Sequence, residues 1–89
     1  MVWTINYTES AKRQLHKFDK QIARRIIHFM DERISRQEDP RHSGTALAGP
    51  AFGMYWRYRI GDYRIICDIQ DEVLCILVIE IGNRREIYR

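Results

Sequence analysis

The sequence predicts an α+β fold: a small two-layer domain in the order β-α-α-β-β-β, with a helical hairpin packed on one face of an antiparallel sheet. Three observations predict it. Apolar residues recur at helical spacing from Ala11 to Ile34, they alternate at strand spacing before and after that stretch, and the later alternating runs are separated by turns of two or three residues. A chain of 89 residues is read as one domain, residues 1–89, with room for a single core and little else, so the fold must carry its own site.

The first strand is "VWTINY", which alternates apolar and polar residues until the cluster Thr8-Glu9-Ser10 offers a helix cap. Ala11, Leu15 and Phe18 then form one apolar stripe from about Glu9 to Phe18, with Lys12, Arg13 and Lys17 outside. Asp19 is placed to cap a second, longer helix whose inner row is Ile22, Ile26, Met30 and Ile34, while Arg24, Arg25, Asp31 and Glu32 stay in water. Pro40 disfavours helical geometry in Asp39 and ends the helical half; Gly44, Gly49, Pro50 and Gly53 mark a loop of about a dozen residues. Three strands follow, about Met54 to Ile60, Tyr63 to Ile69 and Val73 to Ile81, joined by Gly61-Asp62 and by Gln70-Asp71-Glu72.

Composition narrows the function. With 45% hydrophobic and 30% charged residues the chain is a folded globular domain rather than a disordered tail. The start lacks the layout of a secretory signal and no apolar run approaches the roughly 18 residues of a membrane span, so a cytoplasmic protein with no membrane partner is expected. In that setting Cys67 and Cys75, both within apolar strand runs, are expected as buried free thiols, although they could face each other across a hairpin. No zinc spacing, glycine-rich phosphate loop or Ser-His-Asp pattern occurs, so no metal or cofactor is expected. His16, His28 and His42 lie far from the strand arginines in sequence and are expected to be structural or solvated. Trp3 and Trp56 are expected at core or edge positions.

The net charge of +3 favours an anionic partner, and the strands say where. Side chains two apart share a sheet face, so Trp56, Tyr58 and Ile60 point one way and Tyr55, Arg57 and Arg59 the other. In the next strand Tyr63, Ile65, Cys67 and Ile69 make the apolar row, which leaves Arg64, Ile66 and Asp68 opposite. Arg57, Arg59 and Arg64 are therefore expected together on the exposed face, with Arg84, Arg85 and Tyr88 leaving the last strand close to it. The alternative is a solvated face neutralised by Asp62, Asp68, Glu80 and Glu86.

The stretch "YWRYRIGDYRIICDI" followed by "LVIEIGNRREIYR" resembles the signature of RelE-type toxins of bacterial type II toxin-antitoxin systems, in the RelE/ParE superfamily. The likeness covers nearly the whole chain. It implies a ribosome-dependent mRNA endonuclease that enters the ribosomal A site and cuts the codon there, the RNA's own 2′-hydroxyl attacking the adjacent phosphate without a metal. Translation stops and growth arrests until a cognate RelB-like antitoxin suppresses the toxin; operator DNA would be reached only through that antitoxin.

Residue by residue, Arg64 in "GDYR" resembles the arginine that holds the scissile phosphate, and Arg84 in "GNRR" the one that assists the leaving oxygen. Arg57 stands where some relatives carry a lysine with a proton-transfer or charge-stabilising role, and Tyr88 resembles the terminal tyrosine that orients the nucleotide. Arg59, Arg85, Tyr55 and Asn83 are the RNA-binding candidates. Tyr55 stands where relatives have a second lysine and Asn83 where several have a histidine or another basic residue, so the general base is open between Tyr88 and the ribosome.

Guanidinium groups suit the chemistry, because transfer to a positioned 2′-hydroxyl needs in-line geometry and stabilisation of developing negative charge. Two other readings of the same fold are a ParE-like inhibitor of DNA gyrase and a non-catalytic module whose basic face docks on an antitoxin or on RNA.

Overall fold

The computed structural model of the protein describes residues 2–47 and 55–83. Strand β1 (Thr4–Tyr7) leads into α1 (Glu9–Lys17) and α2 (Lys20–Phe29), which continues as a π-helical turn at Met30–Ile34. A 3-10 turn at Pro40–His42 and a two-residue strand β2 (Thr45–Ala46) precede β3 (Tyr55–Ile60), β4 (Tyr63–Gln70) and β5 (Cys75–Asn83). The sheet order is β1-β5-β4-β3-β2. The expected α+β class and helical hairpin are present, and β3, β4 and β5 form the antiparallel meander the turns predicted.

The caps work as the sequence suggests. The Thr8 hydroxyl accepts from the Ala11 N–H at 3.1 Å, and the Asp19 carboxylate accepts from the Gln21 N–H at 3.1 Å, so both helices begin with an otherwise orphaned donor satisfied. Ala11, Ile26, Met30 and Ile34 are buried against Tyr58, Ile65, Cys67, Ile76, Val78 and Ile81 of the sheet. Phe18 meets Tyr63 edge-on at 5.0 Å, a favoured aromatic geometry. Trp3 is buried and Trp56 half-buried, and their indole N–H groups donate to the Glu38 and Ser43 carbonyls.

Three features differ from the expectation. First, β1 pairs parallel with β5, Thr4 opposite Cys75 through Tyr7 opposite Val78, because the helical hairpin acts as the crossover that parallel pairing requires. Second, β5 begins two residues later than Val73: Asp71–Val73 form a 3-10 turn and Leu74 takes left-handed backbone, φ 49°, before the strand starts. Third, Cys67 and Cys75 are free and buried, as expected, but they do not face each other. Cys67 stands opposite Val78 on the helix side, and Cys75 stands opposite Gln70 on the other side. Burial pushes the Cys67 thiol up, so it stays protonated and unreactive at neutral pH.

The described part of the segment that the sequence reads as loop carries strand β2, paired with Trp56 and Arg57. Gly44 has φ +79°, and a Cβ there would lie 2.4 Å from the Arg57 carbonyl oxygen, so only glycine lets the loop approach β3 this closely. Among the described residues no helix is long and apolar enough to cross a membrane.

Candidate nucleic-acid interface

Strand alternation places three arginines on the sheet face away from the helices. Arg59 stands directly opposite Arg64, and Arg57 stands opposite Ile66, so all three project from the same side of the β3–β4 hairpin. Gly61, with φ +55°, makes the tight turn with Asp62 that fixes this register; a slip of one residue would send the arginines into the core. Tyr55, opposite Asp68, shares the face.

The face is not uniformly exposed, which corrects the sequence reading. Arg59 is exposed and Arg57 half-buried, but Arg64 is only 7% exposed. Arg64 sits on β4, the middle of five strands and flanked by β3 and β5, whereas β3 lies nearer the edge. A guanidinium set this deep, opposite a second one, concentrates positive potential in a low-dielectric setting, and this favours an anion with oxygens to share between them.

The acidic part of the face is set by a bulge in β5. The register of β4 against β5 steps between Ile66, opposite Glu80, and Cys67, opposite Val78, so Ile79 is an extra residue. The bulge lets Val78 and Ile81 both enter the core while Glu80 turns to the arginine side. Helix α1 holds it in place: the Thr8 hydroxyl donates to the Ile79 carbonyl at 3.0 Å, and the Gln14 side-chain oxygen accepts from the Ile81 N–H at 2.7 Å. Asp68 and Glu80 are thus the carboxylates that the described part of this face carries. The Asp68 carboxylate accepts from the Gln70 side chain at 3.1 Å.

The other predicted residues fall differently. Asn83 stands opposite Tyr63, whose ring packs on the core, so it lies at the end of β5 on the helix side rather than with the arginines. Arg84, Arg85 and Tyr88 lie outside the described residues. Tyr58 is held apart from any proton transfer: it is buried, its hydroxyl donates to the Pro40 carbonyl at 2.8 Å, and burial pushes its pKa well above the usual tyrosine value. Among the described residues no three of His, Cys, Asp and Glu gather into a cluster able to hold a metal ion.

A cleft of about 410 Å³ is lined by Arg57 and Arg59 of the sheet and by Phe29 and Arg33 of the helical layer. Arg33 was not singled out by the sequence, since on an ideal helix it reads as one more solvated cation; its only signal is the i, i+4 spacing from Phe29.

Comparison with known proteins agrees with this fold. Residues 5–88 match the family model of the ParE toxin of type II toxin-antitoxin system, parDE. The chain is 30% identical over 89 residues to Toxin RelG of Mycobacterium tuberculosis, covering 100% of this chain and 99% of that one. Its fold resembles the toxin-antitoxin complex RelBE2 of Mycobacterium tuberculosis, with a TM-score of 0.85, 26% identity and coverage of 94% and 93% of the two chains. It also resembles the archaeal RelE-RelB complex of Pyrococcus horikoshii, with a TM-score of 0.73, 24% identity and coverage of 94% and 97%. A model spanning nearly the whole chain and a relative of the same length together assign it: the protein belongs to the ParE toxin family of type II toxin-antitoxin systems, within the RelE/ParE superfamily.

Proposed function

We propose that the chain acts as a ribosome-dependent mRNA endonuclease, a single toxin domain that cuts A-site codons and so inhibits translation. The observation that carries the reading is the arginine pair Arg59 and Arg64, directly opposite each other on the helix-free face with Arg57 beside them. A gyrase-binding surface needs no such concentration of cations around a deeply set guanidinium, whereas a phosphodiester in transition to a five-coordinate state does.

In this reading Arg64 holds the scissile phosphate, Arg57 spreads its developing charge through paired N–H donors, and Arg59 binds the RNA beside it. The 2′-oxygen forms a bond to phosphorus as the bond from phosphorus to the 5′-oxygen breaks; the 2′-hydroxyl proton passes to the general base and the departing 5′-oxygen takes a proton from water, leaving a cyclic phosphate and a free 5′-hydroxyl. Arg84 assists that departing oxygen and Tyr88 orients the nucleotide, roles taken from the family resemblance. Arginine stays protonated and cannot take the 2′-hydroxyl proton. Asp68 and Glu80 on the same face join Tyr88 and the ribosome as candidate acceptors. The expected partner is a RelB-like antitoxin, in keeping with neighbours solved as toxin-antitoxin complexes.

A second reading, gyrase inhibition, is favoured by the description of the matching family as a ParE toxin. One experiment separates them. The protein is induced in bacteria and the ends of a translated and an untranslated copy of one mRNA are mapped by primer extension. Cuts within codons of the translated copy alone are expected. Growth arrest with intact mRNA and altered plasmid supercoiling would replace this reading by gyrase inhibition, and normal growth would leave only a binding module.

A further inference from the structure

The cleft beside Arg57 and Arg59 does not stop at the sheet. Strand β2 pairs only with Trp56 and Arg57, so among the described residues β3 has no strand alongside it from Tyr58 onward, and the cleft passes round that open edge to the helical layer. It is lined there by Arg33, whose guanidinium carbon lies 5.8 Å from the centre of the Phe29 ring, within cation–π range. The π-helical turn puts Arg33 there: the Ser35 N–H reaches back five residues to the Met30 carbonyl at 2.8 Å, widening the helix at this point.

The neighbouring arginines are engaged differently. Arg36 pairs with Glu32 at 3.3 Å and Arg41 with Asp71 at 2.8 Å, whereas among the described residues no carboxylate lies within ion-pair distance of Arg33. Arg33 is thus braced by a ring, pairs with no acid among the described residues, and lines the same cleft as Arg57, Arg59 and Thr45. A concave site lined by arginines from the helical layer and from the sheet suits the spread oxygens of a phosphate.

We propose that this cleft is a second phosphate subsite, in which Arg33 and Arg59 grip a phosphodiester flanking the one at Arg64 and lead single-stranded RNA round the β3 edge. The choice of RNA rests on the endonuclease reading; the test does not require cleavage.

Purified full-length protein is titrated with a short single-stranded RNA oligonucleotide over a range of salt concentrations. Arg33→Gln is expected to weaken binding about fivefold and to reduce the slope of log affinity against log salt by about 0.7, the loss of one phosphate contact. Arg33→Lys should restore the slope. Arg36→Gln, whose arginine lies outside the cleft, should change neither, and the melting temperature should stay that of the wild type in all three variants. Wild-type slope and affinity in Arg33→Gln would overturn the subsite, as would failure of the wild-type protein to bind the oligonucleotide. Arg33-dependent binding with uncut mRNA in cells would remove the endonuclease reading and leave the subsite standing. Cleavage with Arg33-independent binding would do the reverse.

Discussion

The two faces of the β3–β4 hairpin are built from alternate residues of the same strands and have opposite properties. One face carries Tyr58, Ile60, Ile65 and Cys67, buried against the helices; the other carries Arg57, Arg59 and Arg64, of which two stand opposite each other despite their charge. The first is a packed interior, where each side chain contributes through the water it excludes and the contacts it fills. The second breaks a local rule of sheet pairing, and such breaches concentrate where a protein binds or reacts. Substitutions on the first face should therefore be read in stability, and those on the second in function.

The largest effect expected from that division is on the core side. Ile76→Ala removes most of a fully buried side chain from β5, beside this hairpin, and should lower unfolding free energy by about 2–5 kcal/mol, through lost transfer and the cavity left behind. Urea unfolding measures it, and a loss below about 1 kcal/mol would mean that the core is looser than its burial implies. On the arginine side, Arg64→Ala should lower ribosome-dependent cleavage by about 10²-fold or more, the scale of losing one donor to transition-state charge. Arg64→Lys should recover only part, because it keeps the charge and loses the paired donors. Undiminished cleavage in Arg64→Ala would break the functional half of the comparison.

The smallest effect is on an ion pair at a loop, which belongs to neither face. The Arg41 guanidinium donates two hydrogen bonds, of 2.9 and 2.8 Å, to the Asp71 carboxylate, tying the 3-10 turn after α2 to the one between β4 and β5. This hydrogen bonding holds the Asp71 carboxyl below its usual pKa and raises that of Arg41. A carboxylate whose folded pKa is lowered stabilises the fold at pH values above its unfolded pKa, about 3.9, and loses that contribution as pH falls through the folded value. Both side chains are largely exposed, so Arg41→Ala should cost less than about 1 kcal/mol at neutral pH. Asp71→Asn should flatten the dependence of stability on pH in the acid range, and an unchanged acid limb in thermal melts would show that the pair contributes nothing.

The sequence by itself determined the helical hairpin, its caps at Thr8 and Asp19, the β3–β4 register and the shared face of Arg57, Arg59 and Arg64. These follow from periods and turn residues spanning a few positions, and a period-2 pattern anchored by Gly61-Asp62 leaves no freedom about which side a residue takes. Only the tertiary structure decided the depth of Arg64, the turn of Glu80 to the arginine face, the place of Asn83 on the other side and the approach of Arg33 from the helical layer. Each depends on a partner far away in sequence. The bulge that sets β5 is held by Thr8 and Gln14, 71 and 67 residues away along the chain, and Arg64 is buried on a strand whose two neighbours in the sheet come from separate parts of the chain. Local periodicity fixes the direction of a side chain along its own strand; its company is fixed by which strands and helices the folded core brings alongside.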